Sequence, residues 1–350
     1  MTRTALPMIL ALLAACTSSS TPPSTWQAMA FPGEMAESVG SLSMTSSGLV
    51  AGGMLGTDQD PAIWGFDGAS WRTLSVDSFT VGVVSAILPD GADHAYLGWY
   101  DGLTGNVYGY RPSTGHMDTL ALPALDVQSL AMKGGVLHAA GNEAAGPLGI
   151  FHGQVWRYEA GSWTSLGLGG SGTSEAGKPR LNGGLQGMAV SGSDLIVWGR
   201  RLEPDVDPDF RLAILVHRNG AWTEIAAPRA FKIWSMVSDV SGNLYAGGTS
   251  SGLAGQVWQY ANGAWTATGP EGAEQVLTLA VNSEGVIHAG GTDTRNGYMG
   301  QVWRLAGGKW TGLGTTGCAQ VSFLAAGPNG VMYAAGRDPV SALQVWRYTP

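Results

Sequence analysis

The sequence predicts an all-β fold: a seven-bladed β-propeller of four-stranded blades, with its ring closed by an N-terminal strand. The 350 residues include 54 glycines, 14 tryptophans and 10 tyrosines but only 13% charged residues, a composition typical of many short strands joined by tight turns. A four-part unit recurs along the chain, and four strands per unit of roughly 40 to 60 residues indicate propeller blades. The last unit lacks its fourth part, and an unassigned copy of that part lies near the N-terminus.

Each part of the repeated unit is short, rich in β-branched or aromatic residues and bounded by turn residues, so each is predicted to be a strand. The first part is a hydrophobic stretch that leads into a glycine-containing turn. The second part resembles "LYAGG" and begins at Leu49, Ala95, Leu137, Leu195, Leu244, Ile287 and Met332. The third part resembles "QVWRY" and contains Trp64, Tyr108, Trp156, Leu215, Trp258, Trp303 and Trp346. The fourth part resembles "WTxLG" and begins at Trp71, Met117, Trp163, Trp222, Trp265 and Trp310.

The fourth part occurs one time fewer than the second and third parts, which raises the question of where the missing strand lies. The chain stops at "QVWRYTP", whereas earlier copies continue into a tryptophan. Residues 24–30, "STWQAMA", match the fourth part and belong to no blade. We therefore expect this segment to pair with the strand that contains Trp346 and to cover an edge that would otherwise stay exposed.

The N-terminus is predicted to be a targeting segment. Arg3 precedes the apolar stretch "ALPMILALLAA", which is too short for a stable membrane-spanning helix. The residues "LAAC" resemble the lipobox of bacterial lipoprotein signal peptides, and this resemblance implies that Cys16 becomes the lipidated first residue of the mature chain. We divide the chain into a signal peptide (1–15), a lipidated cysteine and flexible tether (16–23) and the propeller (24–350). An ordinary secretory signal, with an incidental Cys16, is the alternative.

Over the whole mature chain, the repeat resembles kelch-like, galactose-oxidase-type β-propellers. The diglycine that follows the second kelch strand is present at 52–53, 247–248 and 290–291 and reduced to one glycine elsewhere. The resemblance implies the architecture but no oxidase activity, because Cys318 is the only other cysteine and nothing matches a Tyr–Cys copper site. We therefore predict no cofactor and interpret Cys318 as a buried small residue. His138 and His288 occupy the strand position of Tyr245 and Tyr333, so we interpret both as packing residues.

Strand alternation places the loops after the second and fourth strands of every blade on one face, where loop lengths vary most and where we expect function. We interpret residues 142–153, 168–186 and 200–211 as long loops whose length the core does not need. Their candidate ligand- or partner-binding residues are Glu143, His152, Lys178, Arg180, Arg200, Arg201, Asp205, Asp207, Asp209 and Arg211. The stretch "EPDVDPDF" (203–210) presents carboxylates at alternate positions, which Ca²⁺ accepts as ligands, or it is a solvated loop paired with the arginines; we predict no metal site.

The formal charge of −8 and the lack of a Lys/Arg-rich block exclude a basic surface for nucleic acid. We expect a monomeric lipoprotein, lipid-anchored in a bacterial cell envelope, with the propeller in the periplasm or on the cell surface. Thr17 follows the cysteine where aspartate would favour inner-membrane retention in the resembled family, so the outer membrane is favoured if the source is Gram-negative. The expected function is binding of a protein or glycan partner, with no catalytic residue assigned. The alternatives are a structural envelope-assembly scaffold and a propeller lyase or hydrolase.

Overall fold

A computed structural model of the protein describes residues 26–29, 31, 36–55, 60–74, 81–91, 93–145, 150–168, 181–202, 210–337 and 343–350. These residues form 28 β-strands in seven antiparallel sheets of four strands, arranged as the blades of a β-propeller. Helical structure in this part of the chain is limited to two 3₁₀ turns, Thr294–Asn296 and Pro328–Gly330. None of the helices described is long and apolar enough to cross a membrane.

The strands follow each other from blade to blade in chain order, except for the first. Strand β1 (Trp26–Met29) joins the last blade. Blade 1 contains β2 (Ala36–Thr45), β3 (Gly48–Leu55), β4 (Asp60–Phe66) and β5 (Trp71–Leu74). Blade 2 contains β6 (Val83–Pro89), β7 (Ala95–Tyr100), β8 (Gly105–Arg111) and β9 (His116–Ala124). Blade 3 contains β10 (Asp126–Lys133), β11 (Val136–Ala145), β12 (Ile150–Glu159) and β13 (Ser162–Ser165).

The second half of the ring repeats this order. Blade 4 contains β14 (Leu185–Ser191), β15 (Asp194–Leu202), β16 (Phe210–Arg218) and β17 (Ala221–Ile225). Blade 5 contains β18 (Ala230–Ser238), β19 (Leu244–Ser250), β20 (Gly255–Ala261) and β21 (Ala264–Gly269). Blade 6 contains β22 (Ala273–Val281), β23 (Ile287–Asp293), β24 (Met299–Ala306) and β25 (Lys309–Thr315). Blade 7 contains β26 (Gln320–Ala326), β27 (Met332–Arg337), β28 (Leu343–Tyr348) and β1.

Strand β1 closes the ring, as the sequence predicts. It pairs antiparallel with β28, with Trp26 opposite Tyr348 and Met29 opposite Val345. The Trp26 side chain is buried, and its ring centroid lies 5.3 Å from that of Tyr348. The strand therefore supplies the outer edge that the last repeat lacks.

In several blades the tryptophan near the start of the fourth strand donates a hydrogen bond to the preceding blade. The indole Nε1 of Trp163 donates to the Leu120 carbonyl of blade 2 at 2.9 Å, and Trp222 makes the same bond to Leu166 at 2.8 Å. Trp26 continues the series by donating to the Leu313 carbonyl of blade 6 at 3.2 Å. Because a buried indole N–H needs an acceptor, the repeated tryptophan is explained by both its apolar area and its hydrogen bond.

The second glycine of the "AGG" stretch is explained by close strand packing. A Cβ atom at Gly53 would lie 2.0 Å from the Ser38 carbonyl oxygen, and one at Gly291 would lie 1.9 Å from that of Gln275. Both carbonyls belong to the first strand of the same blade. Only glycine fits where the neighbouring backbone approaches so closely, so the recurrence of this residue reflects the fold.

Candidate functional site

Two faces of the ring are distinguished by their connections. The variable face carries the loops between the second and third strands of each blade and those that lead to the next blade. The turn face carries the short turns between first and second strands and between third and fourth strands. All candidate loops predicted from the sequence belong to the variable face, because every sheet alternates its strand direction.

In two of the predicted loops, the described residues at both ends are extensions of strands. Glu143 and His152 lie directly opposite each other in the pair β11–β12, which continues to Ala145 and Ile150. Likewise, Arg201 pairs with Arg211 in β15–β16. Interpreting 142–153 and 200–211 as loops throughout was therefore wrong. Backbone pairing extends these strands beyond the apolar pattern that marks them in the sequence.

The third predicted loop, 168–186, has structural residues at both ends. Leu168 and Leu181 are 0% and 1% exposed and pack in the core between blades 3 and 4 with Leu185. The Gly153 amide donates to the Leu181 carbonyl at 2.9 Å, and the Leu185 amide donates to Oδ1 of Asn142 at 2.8 Å. The interpretation that the core does not need this segment is therefore wrong for its two ends.

The described candidates do not converge on one site. Glu143 lines a cleft between blades 2 and 3 together with residues 103–106 and 122–125. Arg200 and Arg211 line a different pocket, between blades 4 and 5. Arg201 instead binds Glu224, with 2.5 Å between Nη2 and Oε1. The candidates Cys16, Lys178, Arg180, Asp205, Asp207 and Asp209 lie outside the described residues.

The pocket between blades 4 and 5 opens on the variable face and has a volume of about 610 Å³. We call it the blade 4–5 pocket; it is lined by Gln186, Arg200, Arg211, Leu212, Ala226, Ala227, Pro228, Ala230, Phe231 and Ser251. This lining combines an apolar floor with two guanidinium groups, and no carboxylate of the described residues belongs to it. Such a combination of apolar surface and a few oriented polar groups is typical of ligand sites.

One carboxylate moderates the positive charge at the pocket edge. Arg201 and Arg211 lie opposite each other on neighbouring strands, an arrangement that is unfavourable for like charges. Glu224 accepts from Arg201, and its Oε1 lies 3.9 Å from Nη2 of Arg211. Glu224 therefore offsets the repulsion between the two guanidinium groups. More than half of the Arg211 side chain stays exposed.

Aromatic residues that the sequence interpretation missed lie beside the blade 4–5 pocket. Phe231 is 59% exposed and Trp234 is 40% exposed, both on β18. Lys232 lies between them in sequence, with its Nζ 3.3 Å from the centroid of the Trp234 ring. Burial, followed by the charge of Arg200, lowers the pKa of the Lys232 ammonium. The ammonium, the guanidinium and the two aromatic rings thus form one amphipathic surface.

Register shifts in β18 expose the two aromatic residues. Phe231 and Trp234 are the extra residues at shifts between Ala230 and Lys232 and between Ile233 and Ser235, and such bulges re-aim side chains. The positions equivalent to Trp234 in the other blades hold Gly40, Ser85, Gln128, Gln186, Leu277 and Ser322. A large aromatic residue at a position that is otherwise small, polar or aliphatic was the sequence signal that could have identified this site.

The residues interpreted as packing lie in the core. His138 and His288 are 4% and 2% exposed, and Cys318 is fully buried. Nδ1 of His138 lies 2.9 Å from the Val136 carbonyl and Nδ1 of His288 lies 3.2 Å from that of Val286, so Nδ1 is the donor in both. Among the described residues, no group of three or more His, Cys, Asp or Glu side chains could hold a metal ion.

Comparison with known proteins identifies the fold and no family. No family model matches the chain, and no curated protein matches it. A chain of the mitotic checkpoint complex covers the whole of this chain and of itself at 15% identity, with a TM-score of 0.61. A structure of YCF48 bound to D1 peptide covers 93% of this chain and 95% of its own at 11% identity, with a TM-score of 0.62.

Another solved propeller has a similar structure. The β-propeller domain of the Trilobed protease from Pyrococcus furiosus covers 90% of this chain and 93% of its own at 9% identity, with a TM-score of 0.63. At these identities the likeness concerns the fold alone. The chain is thus a seven-bladed β-propeller, a fold that commonly mediates protein binding.

Proposed function

We propose that this chain is a lipid-anchored propeller of a bacterial cell envelope and that it binds a protein partner through the blade 4–5 pocket. The observation that carries the proposal is the exposed Phe231 at a pocket lined by Arg200 and Arg211. Large aromatic residues and arginine are the residue types enriched at the centres of protein interfaces. The partner is expected to present an acidic segment with a large apolar side chain.

Charge supports an acidic partner. The whole chain has a formal charge of −8, yet the described lining of this pocket has two arginines and no carboxylate. A guanidinium group binds a carboxylate through two parallel hydrogen bonds, and a positive area within a negative surface orients an approaching acidic segment. The apolar floor of the pocket would bury the partner's apolar side chain.

The choice of a protein over a glycan rests on the mixed lining and on one of the similar folds. YCF48, which has 11% identity to this chain, has been solved with a bound peptide, so a propeller of this size can accommodate one. Stacking of a sugar on Phe231 or Trp234 would not require the two arginines. A glycan is therefore the second outcome that the test below distinguishes.

Selection from a random peptide library tests the proposed binding. The immobilised chain should enrich peptides in which Asp or Glu lies next to a large apolar residue. Because truncating an interface anchor commonly costs more than 1 kcal/mol, Phe231→Ala and Arg211→Gln should each weaken binding of an enriched peptide by about tenfold or more. Isothermal titration calorimetry with one synthesised peptide measures the change.

Leu253→Ala is the matched control, because Leu253 is 67% exposed on a neighbouring loop of the variable face. This variant should bind the peptide as the wild type does. Equal peptide binding by wild type and Phe231→Ala would contradict the proposed site. Binding on a glycan array with no peptide enriched would replace the protein partner with a sugar.

The lipid anchor is a separate part of the proposal. It rests on the small residues that precede Cys16 and on the polar stretch that follows it. We expect Cys16→Ser to move most of the chain from the membrane pellet to the soluble fraction of the expressing bacterium, because acyl chains supply the membrane affinity. Cys318→Ser is the control and should stay in the pellet. Retention of Cys16→Ser in detergent-free membranes would contradict the anchor. The assignment of this chain to the kelch-like propellers is a separate prediction from its sequence pattern.

A further inference from the structure

A second cavity lies on the opposite side of the ring, on the turn face between blades 3 and 4. We call it the blade 3–4 cleft; it has a volume of about 470 Å³ and is lined by Lys133, Gly134, Val136, His138, Arg157, Leu166, Gly192, Ser193 and His217. Its polar lining consists of an ammonium, a guanidinium, two imidazoles and a hydroxyl. No carboxylate from the described part of the chain lines it, so hydrogen-bond donors predominate among its side chains.

The carboxylates near the cleft are bound to arginines. Asp194 accepts from Nε of Arg218 with both of its oxygens at 3.0 Å. Glu159 lies 3.0 Å from Nη2 of Arg157, and both side chains are substantially exposed there. Among the described residues, Lys133 forms no salt bridge within 4 Å. The cleft therefore contains positive charge that these carboxylates do not fully compensate.

One polar atom in the cleft wall, Nε of Arg157, is buried and has no hydrogen-bond partner among the described residues. An unsatisfied buried donor costs free energy, and more so when its group is charged. An acceptor-rich ligand in the cleft would satisfy the guanidinium N–H of Arg157. Arg157 lines the cleft together with His217 and Lys133, so a ligand there would meet all three cationic or ionisable side chains.

The equivalent position between blades 6 and 7 shows what is specific to this cleft. In blade 3, His138 pairs with Arg157 across β11–β12, and in blade 6, His288 pairs with Arg304 across β23–β24. Lys133, however, corresponds to Asn282 after the first strand of blade 6.

The wall contributed by the following blade differs too. His217, opposite Leu195, corresponds to Tyr348, opposite Met332 in blade 7. Thus the repeat accounts for the His–Arg pair, but it does not account for the additional lysine and second imidazole.

We propose that the blade 3–4 cleft binds a small oxyanion: sulfate, phosphate or the phosphate group of a phosphomonoester. Lys133 and Arg157 supply permanent positive charge, and the four oxygens of such an anion accept several hydrogen bonds at once. The side-chain hydroxyl of Ser193 lies at the rim, where it hydrogen-bonds to Asp194. This site lies on the opposite face from the blade 4–5 pocket and does not depend on the function proposed for that pocket.

The two imidazoles make the binding dependent on pH. Burial, together with the charges of Lys133 and Arg157, lowers the pKa of His138 and of His217, while the Val136 and Gly220 backbones act in the opposite direction. Both imidazoles are therefore neutral near neutral pH. A bound anion favours their charged forms and raises both pKa values, so anion binding takes up protons. Affinity should be higher at about pH 5.5 than at about pH 7.5.

Titration of the full chain with sulfate, followed by ¹⁵N-histidine NMR at constant ionic strength, tests the proposal. Sulfate does not itself titrate in this pH range, so any pH dependence belongs to the protein. The signals of His138 and His217 should shift as sulfate is added until the site is saturated. The affinity for sulfate should be higher at about pH 5.5 than at about pH 7.5. Glycerol 3-phosphate is the second probe: tighter binding than sulfate indicates a phosphomonoester as the ligand, and weaker binding indicates a free anion.

Lys133→Gln and His217→Tyr should each weaken sulfate binding by about tenfold. His217→Tyr retains the fold because Tyr158 and Tyr260 stack on the equivalent tryptophans, as His217 stacks on Trp222. The matched control is Arg304→Gln in blade 6, which should leave the affinity unchanged. The proposal is wrong if chloride at equal ionic strength shifts the two signals as sulfate does, or if Arg304→Gln weakens binding as much as Lys133→Gln.

Discussion

The closing blade and the blade 4–5 pocket are built from the same repeat, but their residues relate to it differently. Trp26 in blade 7 donates to a carbonyl of the preceding blade, as Trp163 and Trp222 do, and it is also buried. Phe231 and Trp234 in blade 5 are exposed aromatic residues on a first strand, where other blades have none at the position of Trp234. The first region maintains the ring, and the second adds a surface that the ring does not need.

This difference teaches how to separate fold from function in a repeat protein. A residue that recurs at its repeat position, such as Gly53 or Trp163, is explained by a contact present in several blades. A residue that departs from the repeat, such as His217 in place of a tyrosine, needs an explanation of its own. Substitutions should therefore reduce stability at the first kind of position and binding at the second.

The largest loss of stability is expected from Trp26→Ala. This change removes a side chain that is 6% exposed together with its hydrogen bond to Leu313. Replacement of a buried tryptophan by alanine typically costs about 3–5 kcal/mol in the free energy of unfolding. Chemical denaturation followed by tryptophan fluorescence and circular dichroism measures this loss.

Gln27→Ala is the control on the same strand, because Gln27 is exposed and its side chain is not part of the core. It should change the free energy of unfolding by less than about 0.5 kcal/mol. A similar small value for Trp26→Ala would mean that ring closure contributes little to stability, and the contrast with the blade 4–5 pocket would disappear.

A smaller loss is expected from Leu181→Ala, which tests whether the end of segment 168–186 belongs to the ring or to the variable surface. Leu181 is 1% exposed among Leu168, Leu185 and Val155. Removing its side chain leaves a cavity, and such changes cost about 2–5 kcal/mol. Thermal unfolding should show a clearly lower melting temperature.

The exposed Leu253 provides the matched leucine substitution on the same face. Leu253→Ala should leave the melting temperature almost unchanged, because little apolar surface is buried there. If Leu181→Ala were equally mild, the original sequence interpretation of 168–186 as a dispensable loop would be restored for this end.

The fold could be predicted from the sequence because repetition multiplies a weak signal. A single stretch such as "LYAGG" at Leu244 does not establish a strand, but seven copies with matching neighbours establish the strand order of every blade. The sequence has six fourth strands but seven third strands, and this mismatch predicted that the strand with Trp26 completes the last blade. The prediction of β1 thus rested on an arithmetic mismatch in the repeat, without any local preference for a strand.

The candidate site was predicted only in part because loop length and charge do not show where side chains meet. Arg200 and Arg211 belong to the blade 4–5 pocket, but Glu143 lines another cleft and Arg201 binds Glu224. Strand extension in β11 and β15 removed much of the predicted loop length. Phe231 and Trp234 were missed because the bulges that expose them depend on backbone register, which the apolar pattern of β18 does not reveal.

The hydrogen bond from Trp26 to Leu313 also constrains how the molecule reaches its folded state. It joins residues 287 positions apart in the chain, and contacts of such separation form late because they require closure of a long loop. Strand β1 leaves the ribosome before the other strands described here, yet its place beside β28 exists only after β28 has been made. During synthesis and any export, strand β1 therefore remains unpaired until β28 is available. Closure of the ring is thus expected to be a late step in folding.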